Sequence, residues 1–155
     1  MKYRDGYLYQ AAEDEIYQTR YRPIENIEAE FITLFTDGKM ILKSGYACDG
    51  PSGPPKYLSQ ILPEWLRRKY LKKIMRGAFG HDGKYQLIRM ELLNESAVAH
   101  LEMDVRKVAD IELREDLITD GMNRVRASMV YYKAVRIGGK SLADPENKKK
   151  IHEAP

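Results

Sequence analysis

The stretch AEFITLFTDGKMILKSGYAC, from Ala29 to Cys48, decides the fold class. Apolar side chains recur on both sides of Thr36-Asp37-Gly38-Lys39, and an Asp-Gly pair readily supplies the positive backbone dihedrals of a tight hairpin. Two strands are therefore predicted, with Phe31, Thr33 and Phe35 on one face and Ile32 and Leu34 on the other. Apolar groups stand on both faces, so the hairpin should be covered on one side and partly covered on the other. Upstream, GYLYQ (Gly6 to Gln10) alternates as well, and residues 5–48 read as the extended half of the chain.

Downstream the period changes. YACDGPSGPPKYL carries Gly50, Pro51, Gly53, Pro54 and Pro55, which exclude regular structure and mark an ordered loop. From Pro63 the spacing is helical, with Leu66, Tyr70 and Ile74 four residues apart. A second helix is predicted to carry GHDGKYQL (Gly80 to Leu87) and run to about Leu93. A third is predicted from Ala97 to Thr119, with Val98, Leu101, Val105, Val108 and Ala109 inward and Gly121 as its stop. A fourth should span Met122 to Ile137, with Met122, Val125, Met129 and Tyr132 inward. Residues 1–139 read as a single domain, followed by a flexible polar tail over 140–155. The architecture expected is α+β: a small antiparallel sheet from the N-terminal half packed on three to four helices.

Composition narrows the classes of function. Hydrophobic residues make up 43% and charged residues 32% of 155, as in ordinary globular chains. A net charge of +3 gives no argument for nucleic acid and does not oppose an anionic membrane surface. Cys48 is the one cysteine, so an internal disulfide is excluded, and it reads as a small buried apolar group. No apolar run resembles a cleavable signal or a membrane span, and synthesis in the cytoplasm is expected.

Within GHDGKYQL, Ile74, Ala78, His81, Tyr85, Ile88 and Leu92 recur at steps of three or four and share one helix face. Asp82 borders that face. An imidazole, a carboxylate and a phenol thus fall within one turn, flanked by apolar residues. A buried carboxylate must be paired, bind a cation or take up a proton. Gly77, Gly80 and Gly83 each weaken a helix by ~1 kcal/mol against alanine, and they leave a strip where another backbone could approach. The DGPSGP loop is the candidate for that approach. Its carbonyls, with a carboxylate, form the kind of oxygen set that calcium prefers. A His-Asp dipeptide on a helix is also a common core hydrogen-bond pair, and both readings stand at this point.

YACDGPSGP, GHDGKYQL, ADIELREDLITDGM and YYKAVRIGG, in that order, resemble a family of small phage proteins grouped only as a domain of unknown function. The shared pattern is a D-G-x-S loop, an H-D-x-x-Y helix, an A-D helix and a tyrosine-containing last helix, over roughly residues 40–139. The same H-D-x-x-Y helix, glycine-containing loop and later aspartate also resemble the phospholipase A-two superfamily, closest to the disulfide-free form in parvovirus capsid proteins. Gly77, Ala78 and Lys84 stand where secreted members carry cysteines. This resemblance implies His81 as general base for a water, Asp110 as the carboxylate that orients it, and Tyr85 as support for that carboxylate. It implies calcium as cofactor, held by Asp82 and by loop groups at Asp49, Gly50 and Gly53. Asp104 remains an alternative partner for His81.

The function expected is a phage-associated, phospholipase-like ester hydrolase acting on membrane lipid. The alternative is a non-enzymatic virion or tail component that binds other phage proteins through the strand half or through the basic last helix (Arg124, Arg126, Lys133, Arg136). The protein would be made in the host cytoplasm, with the virion as a further destination. A transition-metal hydrolase is disfavoured, since His81, His100 and His152 are the only histidines.

Overall fold

The computed structural model describes residues 2–3, 9–48, 64–129 and 152–153. The described strands, in chain order, are β1 (Lys2–Tyr3), β2 (Tyr9–Gln10), β3 (Glu15–Gln18), β4 (Ile27–Ala29), β5 (Ile32–Leu34), β6 (Lys39–Leu42), β7 (Ala47–Cys48) and β8 (His152–Glu153). The described helices are α1 (Glu64–Arg89), α2 (Val105–Thr119) and α3 (Arg124–Met129). The class is α+β, with antiparallel sheets in the N-terminal half and helices in the C-terminal half.

The main sheet has four strands in the order β3-β6-β5-β4, all antiparallel. The β5–β6 hairpin turns at the expected place. Gly38 sits at φ 83°, and its N–H reaches the carbonyl of Phe35 at 2.9 Å. AEFITLF is not one strand. It breaks at Glu30-Phe31 into a second tight hairpin that pairs Ala29 with Ile32. One face of the sheet carries Tyr17, Ile32, Leu34, Met40 and Leu42, all buried, which is the period-2 signature of a half-covered sheet. On the other face Ile16 is 58% exposed while Thr33 is buried, so cover there is partial.

The two helices expected between Pro63 and Leu93 are a single helix of 26 residues. The glycines do not break it because their missing side chains make room for packing on two sides. A Cβ on Gly77 would touch Leu113 and Leu117, one on Gly80 would lie 2.5 Å from the Tyr17 ring, and one on Gly83 would lie 2.7 Å from Leu42. The bare strip therefore receives side chains of β3, β6 and α2. The DGPSGP loop that was the candidate for it lies outside the described residues. The helix ends in a left-handed residue, Glu91 at φ 59°, and the N–H groups of Leu92 and Leu93 return to the carbonyl of Leu87.

The third helix also starts later than its apolar spacing predicts. Asp104 is its N-cap, and its side chain accepts the Lys107 N–H at 2.9 Å. Residues 90–103 are turns, held in part by Asn94, whose side chain accepts the Ala97 N–H at 2.9 Å. Val98 is still buried. The apolar face was legible even where its backbone is not helical. On α3, Met122 just before it and Ala127 within it are buried, but Val125 is 67% and Met129 52% exposed, against the inward facing expected of them. Tyr132 lies outside the described residues. Of the tail expected over 140–155, only His152 and Glu153 are described, paired with Tyr3 and Lys2.

Candidate active site

Helices α1 and α2 run antiparallel: Gly77 faces Leu113 and Leu117, and His81 meets Asp110. His81 is 7% exposed and Asp110, 29 positions later in the chain, is fully buried. Nε2 of His81 lies 3.0 Å from Oδ1 of Asp110. The Tyr85 hydroxyl donates to the same oxygen at 2.6 Å. Tyr85 is one turn beyond His81, and their rings lie 4.1 Å apart between centroids, tilted by 38°. An oxygen that receives the phenol proton is acting as an acceptor, so the histidine proton belongs on Nε2. That tautomer leaves Nδ1 with a lone pair.

Nδ1 faces the other carboxylate. It lies 3.9 Å from Oδ1 of Asp82, whose side chain is 27% exposed. This is beyond direct hydrogen-bond length and within the reach of one bridging water. Burial alone would lower the pKa of His81. The hydrogen bond to Asp110, together with the Asp82 carboxylate and the charges of both, outweighs it, and the net shift is upward.

Three sequence-predicted residues, His81, Tyr85 and Asp110, are brought into direct contact, with Asp82 at the rim. Asp104, the other candidate partner for His81, is occupied in capping α2. Asp49, Gly50 and Gly53 lie outside the described residues. Among the described residues, no group of three or more His, Cys, Asp and Glu side chains is placed to hold a metal ion. Asp82 offers one carboxylate on the Nδ1 side. Calcium takes six to eight oxygens, so the described residues do not by themselves make up a calcium site.

Sequence reasoning missed the polar groups next to the trio. Lys84 is 1% exposed, and its Nζ lies 2.6 Å from Oε2 of the buried Glu112. Oε1 of Glu112 accepts the backbone N–H of Arg20 at 2.5 Å. Tyr21 is fully buried and donates to the carbonyl of Val105 at 2.6 Å. Burial pushes its pKa upward, reinforced by the charges of Glu112 and Asp110. A signal for Lys84 existed. It stands three residues after His81 and one before Tyr85, on the face already assigned to the core.

Compared with protein-family models, curated proteins and solved structures, the chain gives no match.

Proposed function

We propose that the protein is a phospholipase-like ester hydrolase in which His81 is the general base. The observation that carries this reading is the buried relay Tyr85–Asp110–His81, which fixes one imidazole tautomer and aims Nδ1 toward Asp82. A neutral imidazole at that place takes a proton from water as the water attacks an ester carbonyl. Asp110 then stabilises the imidazolium, as the third member of a catalytic triad does. Tyr85 keeps Asp110 from turning away. His81 returns the proton to the departing alcohol. Calcium, if held by Asp82 with carbonyls of the 49–53 segment, would supply polarisation of the ester carbonyl and of the oxyanion. Membrane lipid is the substrate class, and phage entry or release the setting, as the family resemblance implies. No helix among the described residues is long and apolar enough to cross a membrane, so lipid would be met at its surface.

Titration calorimetry with calcium on the wild type and on Asp82→Asn is the first test, paired with hydrolysis of phospholipid vesicles by wild type and His81→Ala. Binding that disappears in Asp82→Asn, with hydrolysis that disappears in His81→Ala, supports the reading. Equal hydrolysis in the His81→Ala variant sinks it. One observation favours the non-enzymatic alternative. Helix α3 exposes Val125 and Met129 beside Arg124 and Arg126, a mixed apolar and basic face of the kind that engages a protein partner. A folded chain without hydrolysis or calcium binding, which is retained on purified particles, would favour that alternative.

A further inference from the structure

The buried ion pair beside the site is costly and has no part in the proton relay. Removing two charges from water costs several kcal/mol per ion in proteins, and an apolar pair of like size is often as stable. Its retention calls for a reason other than stability.

Its position supplies one. Lys84 lies between His81 and Tyr85 in sequence, and Glu112 lies two residues after Asp110. The Lys84–Glu112 contact therefore joins α1 to α2 at the same level as the two hydrogen bonds on Asp110. Glu112 is itself held from a third direction by the Arg20 N–H, in the segment after β3. Apolar contacts between helices tolerate small sliding, because one methyl replaces another. A buried ion pair at 2.6 Å has one favoured separation and resists it. Farther along the same seam, the nearest neighbours of Gly77 are the ends of Leu113 and Leu117 and Cβ of Asp116, and the half-exposed Arg76 lies 3.7 Å from Asp116 and 3.5 Å from Asp120, looser than the buried pair.

We infer that Lys84 and Glu112 are positioning residues: their pair pins the axial register of α2 on α1, so that Asp110 reaches His81 and Tyr85 together. The inference deepens the proposed hydrolase reading, and its test also works without activity. The pin acts through His81 and touches no substrate.

The probe is the low-field proton resonance of a buried imidazole N–H, followed in 15N-histidine-labelled protein. The variant is Lys84→Met with Glu112→Gln, which removes both charges and keeps an oxygen for the Arg20 N–H. The expected result is a folded chain whose His81 N–H signal moves upfield or is lost to exchange, with kcat for ester hydrolysis lowered ~10-fold or more and KM held, as for loss of a transition-state arrangement. An unchanged signal in the folded double variant overturns the inference. If that variant folds poorly, Lys84→Met alone is read in the same way, since Glu112 keeps its Arg20 bond. If neither variant folds, the pair supports the helix packing as a whole and the site-specific claim fails. A wild type with the low-field signal but no hydrolysis refutes the proposed activity and leaves the pin to be decided by the signal.

Discussion

Helix α1 has two buried sides that obey different rules. Toward the sheet, Gly80 and Gly83 admit the Tyr17 ring and Leu42, and contact is by shape. Toward α2, past the apolar contact of Gly77 with Leu113 and Leu117, His81, Lys84 and Tyr85 meet Asp110 and Glu112, and contact is by charge and proton. Periodicity marks both sides as inward, because it reports only that a side chain is hidden. What hides it, and whether the neighbour is a methyl or a carboxylate, depends on a partner remote in the chain. The dry side tolerates no added atom and the polar side no missing one.

That contrast can be broken from either side. The largest effect belongs to Asp110→Asn. The amide can donate to Nε2, which moves the histidine proton to Nδ1 and removes the base. Hydrolysis should fall on the order of 10⁴-fold, measured under saturating substrate, while circular dichroism stays that of a folded chain. Wild-type turnover in this variant would mean that the polar side of α1 is structural only.

On the dry side, Gly80→Ala should destabilise by about 2 kcal/mol, as overpacking does, because its Cβ would overlap the Tyr17 ring, which is tethered by its hydroxyl to the Arg76 carbonyl at 2.8 Å. Gly77→Ala, on the side facing α2, meets the flexible end of Leu113 at a tight 3.3 Å and Leu117 and Asp116 at 3.4 and 3.5 Å. It should gain up to ~1 kcal/mol from helix propensity. Urea unfolding of both variants compares them directly, and equal shifts would remove the distinction between the two glycines. Tyr85→Phe takes one donor from a fully buried carboxylate oxygen and should cost ~1.5–2 kcal/mol by the same assay.

The smallest effect is with pH. The folded pKa of His81 is raised, so between its unfolded value and its folded value the native state binds more protons than the unfolded state. Its stabilisation is complete below the unfolded pKa of ~6.5 and fades as pH rises through the folded value. The proposed hydrolysis would need the neutral base, so it should rise over the same interval. The difference in melting temperature between wild type and His81→Asn, followed across neutral pH, should shrink toward alkaline pH. A constant difference would mean that His81 does not titrate as its surroundings dictate.

Much of this was legible in the residues. The Asp37-Gly38 turn, the class, the face shared by Ile74, Ala78, His81 and Tyr85, and the buried Val105, Val108 and Ala109 on α2 follow from dihedral preferences and spacing. Two kinds of feature were not. The start of α2 is set by the Asp104 cap, while the apolar spacing continues upstream through turns, so spacing alone overextends the helix. The continuity of α1 through three glycines depends on Tyr17, Leu42, Leu113 and Leu117 filling the gaps, which no local rule contains. Lys84 was passed over because a lysine is assigned to solvent by default, although its position lay on the hidden face. The choice between Asp104 and Asp110 turned on which aspartate was already committed to backbone amides.

His81, Tyr85 and Asp110 all belong to one helix–turn–helix segment, the last 29 positions after the first. The relay is therefore a cassette. A different scaffold could host it if it offered a groove shaped for two bare glycine positions and one backbone amide in search of an acceptor. Transplantation into an unrelated helical protein would reduce the chemistry to a grafting problem of about four helical turns on each side, with the donor's sheet replaced by whatever surface fits those glycines.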